Sequence, residues 1–205
     1  MKLYGGIDLH SNNCVIAVLD EEGRPVFRRR VGNDLPLILQ HLEPFREPLE
    51  GLVVESTYNW YWLVDGLQEA GYRVHLANTA AIVQYEGLKY TDDDSDARWL
   101  AQLLRLRLLP EGYIYPKEER AVRDLLRKRS QLVRQRTANL LSVQNLLARN
   151  LGHSLSGNAI KRLSDAEVDR LLPDQYLALA VKSNLAVMQG LEAQIDTLEK
   201  VIKGQ

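Results

Sequence analysis

The segment KLYGGIDL, residues 2–9, is a short β-rich run that ends close to an acid and decides how the N-terminal half folds. Its apolar and small residues alternate in the manner of a strand, which brings Asp8 to the rim of a sheet. Two similar runs follow, NCVIAVLD (13–20) and PVFRRRV (25–31), and residues 21–24 between them have a hairpin turn composition. We therefore predict three antiparallel strands at the start of the chain.

Helical and strand patterns then alternate along the chain. Asn33-Asp34 offers N-cap chemistry for an amphipathic helix. The run LEGLVVES (49–56) is almost continuously apolar, as expected of a strand covered on both faces. A helix is predicted over about 58–71, and YRVHLAN (72–78) is predicted as a fifth strand.

Two further helices complete the first part of the chain. Asn78 is predicted to cap one that continues through Tyr85, and the acidic run begins another at Asp93 or Asp94 that ends before Pro110. The resulting order, βββ-α-β-α-β-α, is that of the ribonuclease-H-like α/β superfold, in which a mixed sheet carries helices on both faces.

The last part of the chain is predicted to form two long helices. Residues 117–151 contain no Gly or Pro, and Arg129 and Arg136 occupy alternate core positions of a heptad pattern. A second heptad follows, so we expect an antiparallel helical hairpin or coiled coil, and we assign residues 1–112 to the ribonuclease-H-like domain and 113–205 to the hairpin. The two apolar seams are Leu126, Val133, Leu140 and Leu147, and Val181, Met188, Ile195 and Ile202.

Composition limits the possible functions. No segment approaches the roughly 18 apolar residues of a membrane span, and the N-terminus has no signal-peptide pattern. We expect a cytoplasmic protein without a membrane partner. Cys14 is the only cysteine, which excludes an internal disulfide and a thiolate zinc site within the chain, and its apolar neighbours predict a buried structural thiol.

Charge is distributed unevenly along the chain. Residues 1–116 carry 11 Lys+Arg against 17 Asp+Glu, whereas residues 117–151 carry 9 against 3. This split is typical of an acidic centre that concentrates cations beside an element that meets phosphate, although the arginines could equally solvate a helix face. The candidate phosphate-binding residues are Arg120, Arg123, Arg127, Lys128, Arg134 and Arg136.

Four acids are predicted to converge. Asp8 and Glu55 end strands that are adjacent in a ribonuclease-H-like sheet, and Asp93 and Asp96 lie about one turn apart at a helix start. Gathered carboxylates repel one another unless cations neutralise them, and Mg²⁺, or alternatively Mn²⁺, prefers such hard oxygen ligands. We predict a metal site for phosphodiester cleavage or transfer, with helix capping as the alternative role of the acidic run.

These motifs resemble the DEDD transposases of bacterial insertion sequences, whose N-terminal domain is similar to the junction resolvase RuvC. The resemblance places the last two family acids on Asp93 and Asp96, although Asp92 and Asp94 leave a register ambiguity of one position. The matching segments are GGIDLHSNNCVIAVLD, VVESTYNWYWLVDGLQEAGYRVHLANTAAI and LKYTDDDSDARWLAQLL.

The resemblance implies a DNA recombinase that acts with a structured non-coding RNA. Separately, the predicted coiled coil leads us to expect self-association. Family members continue into a domain with a serine nucleophile, so we expect this chain to be a truncation that is not competent alone. Two alternatives are a RuvC-like junction resolvase or nuclease, and a non-catalytic module that binds RNA and oligomerises. An actin-like phosphotransferase is disfavoured because its second phosphate motif and its adenosine motif are not found in the sequence.

Overall fold

The structure is a computed structural model that describes residues 1–82 and 93–204, with the backbone but not the side chains of residues 93–95. The chain divides into two compact units, Met1–Ile114 and Tyr115–Gln205. The first unit contains the sheet and the second contains the long helices.

A mixed sheet of five strands, in the order β3-β2-β1-β4-β5, forms the described part of the first unit. β1 pairs antiparallel with β2 and parallel with β4, which confirms the predicted adjacency of the first and fourth strands. β2 pairs antiparallel with β3, and β4 pairs parallel with β5. The strands are β1 (Leu3–Leu9), β2 (Asn13–Leu19), β3 (Pro25–Gly32), β4 (Leu49–Glu55) and β5 (Val74–Ala77).

Helices cover both faces of the sheet, as predicted. On one face, α1 (Leu35–Leu42) and α2 (Tyr61–Glu69) enclose the main apolar core. The other face carries α3 (Asp93–Arg105), which packs on β1, β2 and β4. Asp34 caps α1 by accepting a hydrogen bond from the backbone N–H of Leu37, at 3.0 Å, which confirms the predicted start of this helix.

The helix predicted from Asn78 is not formed over the residues that the structure describes. Thr79–Ala81 is one turn of 3₁₀ helix, Asn78 provides no side-chain cap, and Ile82 is extended. The backbone leaves the helical region at Ile82, with φ −72° and ψ 101°, so the turn cannot continue as an α-helix. The predicted continuation through Tyr85 lies outside the described residues.

In the second unit, α4 (Lys117–Leu151) packs antiparallel against α7 (Gln175–Lys203). Arg129 pairs with Glu199, and Arg136 pairs with Glu192. The arginines are seven residues apart along α4, and the acids follow in the reverse order along α7, as expected of antiparallel helices. Gly152, at φ 75°, ends α4 in the left-handed conformation that favours glycine. The connection contains α5 (Gly157–Ile160) and α6 (Asp165–Leu171).

The apolar seam of this hairpin is well buried at the end that is closed by the connection. Val143, Leu147, Val181 and Leu185 lie in one buried cluster, whereas Leu126 near the other end is 44% exposed. No helix in residues 1–82 or 93–204 is long and apolar enough to cross a membrane.

The interhelical ion pairs yield a charge-swap prediction. Arg136→Glu places two acids opposite each other and should lower the free energy of unfolding by about 1 kcal/mol. Adding Glu192→Arg should restore most of that loss, as measured by urea unfolding followed by circular dichroism. Arg134→Glu, at an exposed site on the same helix, is the matched control and should be nearly neutral. A swap variant no more stable than Arg136→Glu alone contradicts the pairing.

Candidate metal centre and nucleic-acid surface

Asp8 and Glu55 lie side by side at the carboxyl ends of two adjacent parallel strands. Ile7 of β1 opposes Val54 of β4, so the next residue of each strand is an acid. The two carboxyl groups share a hydrogen bond. Because parallel neighbours at the same register point to the same side of a sheet, both acids lie on one face.

The face that carries the acids is the one covered by α3. Asp8 opposes Val15 of β2, and Val15 packs against Ala97 of α3. The charge of Asp96, one residue before Ala97, acts on the Glu55 carboxyl group. Asp8 and Glu55 therefore meet at one edge of the sheet, and the charge of Asp96 acts on this pair from α3.

A glycine sets the distance between α3 and the sheet. A Cβ atom on Gly6 would collide with the carbonyl oxygen of Ala97 and would lie 2.8 Å from the backbone nitrogen of Ala101. Only a residue without a side chain permits this approach, and the alanines on α3 are small enough to match it. The contact holds the first turn of α3, with Asp96, close to the strand that carries Asp8.

Proton binding at Glu55 reflects burial of its carboxyl group and, after that, the nearby negative charge. Burial, the hydrogen bond with Asp8, and the charges of Asp8 and Asp96 together raise the pKa of Glu55 from 4.5 to about 8. Ionising both of two carboxyl groups in contact is energetically unfavourable, so the site holds a proton near neutral pH or requires a cation in its place.

The donor set fits a hard divalent cation. Asp8 is 3% exposed, and its Oδ2 atom has no hydrogen-bond partner among the described residues, although Nε2 of His10 lies 3.2 Å away. Carboxylate oxygens are the ligands that Mg²⁺ and Mn²⁺ prefer. A buried acceptor oxygen beside a second carboxyl group is the arrangement that such an ion would satisfy.

The fourth predicted acid is placed only by its backbone. Asp93 begins α3, but its side chain is not described, and Asp92 lies outside the described residues. Within the part of the chain that is described, no group of three acidic, histidine or cysteine side chains is arranged to hold a metal ion. The complete four-acid site therefore stays a prediction.

Comparison with known proteins identifies the family. The sequence profile of a transposase family, the DEDD transposases of IS110 type, matches residues 5–150, which is well over half of the chain. The chain belongs to this DEDD transposase family. None of the curated proteins compared with it matches significantly. The matched range includes Asp8, Glu55, Asp96 and most of α4.

In this DEDD transposase, a hydrogen-bond network that the sequence analysis missed holds the strand ends. The backbone carbonyl of His10, two residues after Asp8, accepts bonds from Nδ2 of Asn33 at 3.0 Å and Nδ2 of Asn59 at 3.1 Å. Asn59 also accepts a bond from the hydroxyl group of Thr57, at 2.8 Å. The network thus links the segment after β1 to the segment after β4. Contacts of this kind leave no periodic signal in a sequence, whereas Gly6 could have been identified as a close-approach glycine within a strand.

The predicted phosphate-binding residues of α4 fall into two groups. Arg120 is 7% exposed and its Nε donates to the carbonyl of Tyr115 at 2.8 Å, while Arg136 pairs with Glu192 in the seam. Arg123 is half-buried over the ring of Tyr115. These interactions assign the three arginines to packing within the unit. The exposed basic residues of the set are Arg127, Lys128 and Arg134.

Cys14 is buried, as predicted for a structural thiol. Burial, with a smaller contribution from the charge of Asp8, raises the pKa of its thiol to about 11. The thiol therefore stays protonated and unreactive at neutral pH.

The raised pKa of Glu55 predicts how stability depends on pH without divalent ions. The folded state keeps a proton on Glu55 up to about pH 8 that the unfolded state releases near 4.5. The stabilisation from this proton is complete below pH 4.5 and is lost as the pH rises through about 8. Between pH 6 and 9, the free energy of unfolding in EDTA should fall, and Glu55→Gln should flatten that fall, as measured by urea unfolding.

Glu50→Gln, at the opposite end of β4, is the control for this measurement and should behave like the parent. If Glu55→Gln shows the same decline as the parent, another group is responsible for it.

The glycine contact predicts a second effect. Gly6→Ala should push α3 off the sheet and lower the free energy of unfolding by about 3 kcal/mol or more, because backbone atoms of α3 cannot yield as a side chain can. Gly32→Ala is the matched control, since a Cβ atom at that strand position meets nothing within 4 Å. Thermal unfolding distinguishes the two, and equal melting temperatures would refute the role given to Gly6.

Proposed function

We propose that this transposase chain provides a metal-dependent centre for phosphodiester cleavage or strand transfer on DNA. Its ligands would be Asp8, Glu55, Asp93 and Asp96, holding Mg²⁺ or Mn²⁺. The observation that carries the proposal is the carboxyl pair of Asp8 and Glu55, hydrogen-bonded to each other and within the field of Asp96. Repulsion among acids lowers the stability of the folded state, and such clusters of acids are found where a protein binds a cation.

Each acid has a separate task in this proposal. Asp8 is buried on a central strand and provides a fixed ligand. Glu55 is only partly buried and holds a proton near neutral pH, so it can exchange that proton for a cation. Asp96 is exposed on α3 and lies toward solvent, where a phosphate would enter. A bound divalent ion would supply the charge that stabilises the phosphate oxygens and activates water.

Nucleic-acid partners follow from the charge of the second unit. Arg127, Lys128 and Arg134 are exposed on α4 and could neutralise phosphates, with release of counterions. We include structured RNA as a partner besides DNA, on the family resemblance. Exposed apolar residues on the long helices support self-association through the coiled coil, since Leu141, Leu179 and Val187 are each at least 50% exposed.

The metal proposal predicts a thermal shift that depends on the acids. Mg²⁺ at about 100 times its Kd should raise the melting temperature by about 5 to 10 °C. Asp8→Asn and Glu55→Gln should each abolish the shift, and Glu50→Gln should retain it. Variants of Asp8 and Glu55 that respond to Mg²⁺ like the parent would show that the ion binds elsewhere.

A further inference from the structure

Three consecutive arginines lie on β3, which is an edge strand of the sheet. Arg28, Arg29 and Arg30 are all exposed. In the antiparallel pairing with β2, Arg28 opposes Ala17, Arg29 opposes Ile16, and Arg30 opposes Val15. Side chains that oppose each other across a strand pair lie on the same face of the sheet, so the three arginines divide between the two faces.

The packing of β2 shows which arginine lies on which face. Val15 and Ala17 pack against Ala97 of α3, so Arg28 and Arg30 belong to the face of the acids. Ile16 lies in the main core, which α1 and α2 cover. Arg29 therefore belongs to the opposite face.

Arg30 is in line with the acids. Asp8 opposes Val15, and Val15 opposes Arg30, so the three residues form one row across β1, β2 and β3. Strands are about 4.8 Å apart, which puts the backbone of Arg30 about 10 Å from that of Asp8. The side chain of Arg30 is oriented by Asn13, whose Oδ1 accepts a bond from Nη1 at 3.0 Å. Arg28 lies about 7 Å further along the same strand face.

We propose that Arg28 and Arg30 bind the phosphate backbone of duplex DNA and hold it beside the acids of this site. The proposal deepens the proposed function and rests on it. An acidic centre repels a polyanion, so a substrate strand needs positive charge close by. The two arginines are about 7 Å apart along the strand, so each can contact a different phosphate of one DNA strand. Guanidinium groups match phosphate oxygens in bidentate geometry.

Charged residues on an edge strand also prevent pairing with other sheets. That role would require all three arginines equally, because each adds charge to the same exposed edge. DNA binding on the face of the acids requires Arg28 and Arg30 and not Arg29. Arg29 is therefore a matched control on the same strand.

The experiment measures binding of the full chain to a fluorescent DNA duplex of 30 base pairs by anisotropy, with Ca²⁺ as the divalent ion, over a series of NaCl concentrations. Arg28→Ala with Arg30→Ala should weaken binding roughly tenfold to hundredfold near 0.1 M salt. The double variant should also reduce the magnitude of the slope of log K against log salt by about 1.8, which is about 0.9 for each lost phosphate contact. Arg29→Ala should leave the slope unchanged.

Two further comparisons sharpen the result. Arg28→Lys with Arg30→Lys should preserve most of the slope, because the charge remains. Melting temperatures of all variants should stay close to that of the parent, since hydrogen bonds and ion pairs of exposed side chains contribute little to stability.

An unchanged slope in the double alanine variant overturns the proposal, as does an equal loss in Arg29→Ala. A loss seen with an RNA hairpin but not with duplex DNA overturns the assignment of the partner. The proposed function fails separately, through the Mg²⁺ shift in the variants of Asp8 and Glu55, so the two failures are distinguishable.

Discussion

The close contact between α3 and the sheet at Gly6 is the constraint on which the candidate site depends. It places the first turn of α3 against the end of β1, so that Asp96 acts on a carboxyl group from the neighbouring strand β4. A larger residue at position 6 would separate α3 from the strands and remove Asp96 from the pair that Asp8 and Glu55 form through the β1–β4 pairing. Packing between α3 and the sheet therefore determines the geometry of the site, and the electrostatic effects follow from that geometry.

The same contact imposes an electrostatic cost. Burial, together with the neighbouring acids Asp8 and Asp96, raises the pKa of Glu55 to about 8, which means that the folded chain stabilises a proton at a position where the unfolded chain would not. The core beneath the strands offsets this cost, with Ile7, Leu52 and Val54 fully buried. A strained acid cluster supported by an apolar core is typical of a site selected for binding a cation and not for stability.

Sequence patterns predicted the three antiparallel strands, the adjacency of the first and fourth strands, the start of α3 and the antiparallel hairpin, because each depends on local periodicity or on connection rules. They did not predict that the helix at Asn78 ends after one turn, where Ile82 is extended, or that Arg120 turns inward to the carbonyl of Tyr115. The contact of Arg120 depends on a partner that only the folded chain brings near. Arg136 was placed correctly in the seam, yet charge alone also suggested a phosphate contact, and only the position of Glu192 decides between these.

Pairing register connects the acids to the rest of the sheet. Because Asp8, Val15 and Arg30 oppose one another in turn, an acid on a central strand and a base on the edge strand face the same side. Shifting the β2–β3 register by one residue would turn Arg28 and Arg30 to the other face and bring Arg29 toward the acids. The hairpin turn after Asp20 fixes that register, since the Asp20 carboxylate accepts bonds from the backbone N–H groups of Glu22 and Arg24, at 3.0 and 2.8 Å. A turn at one end of the sheet thus determines which positive charges lie beside the candidate metal centre at the other.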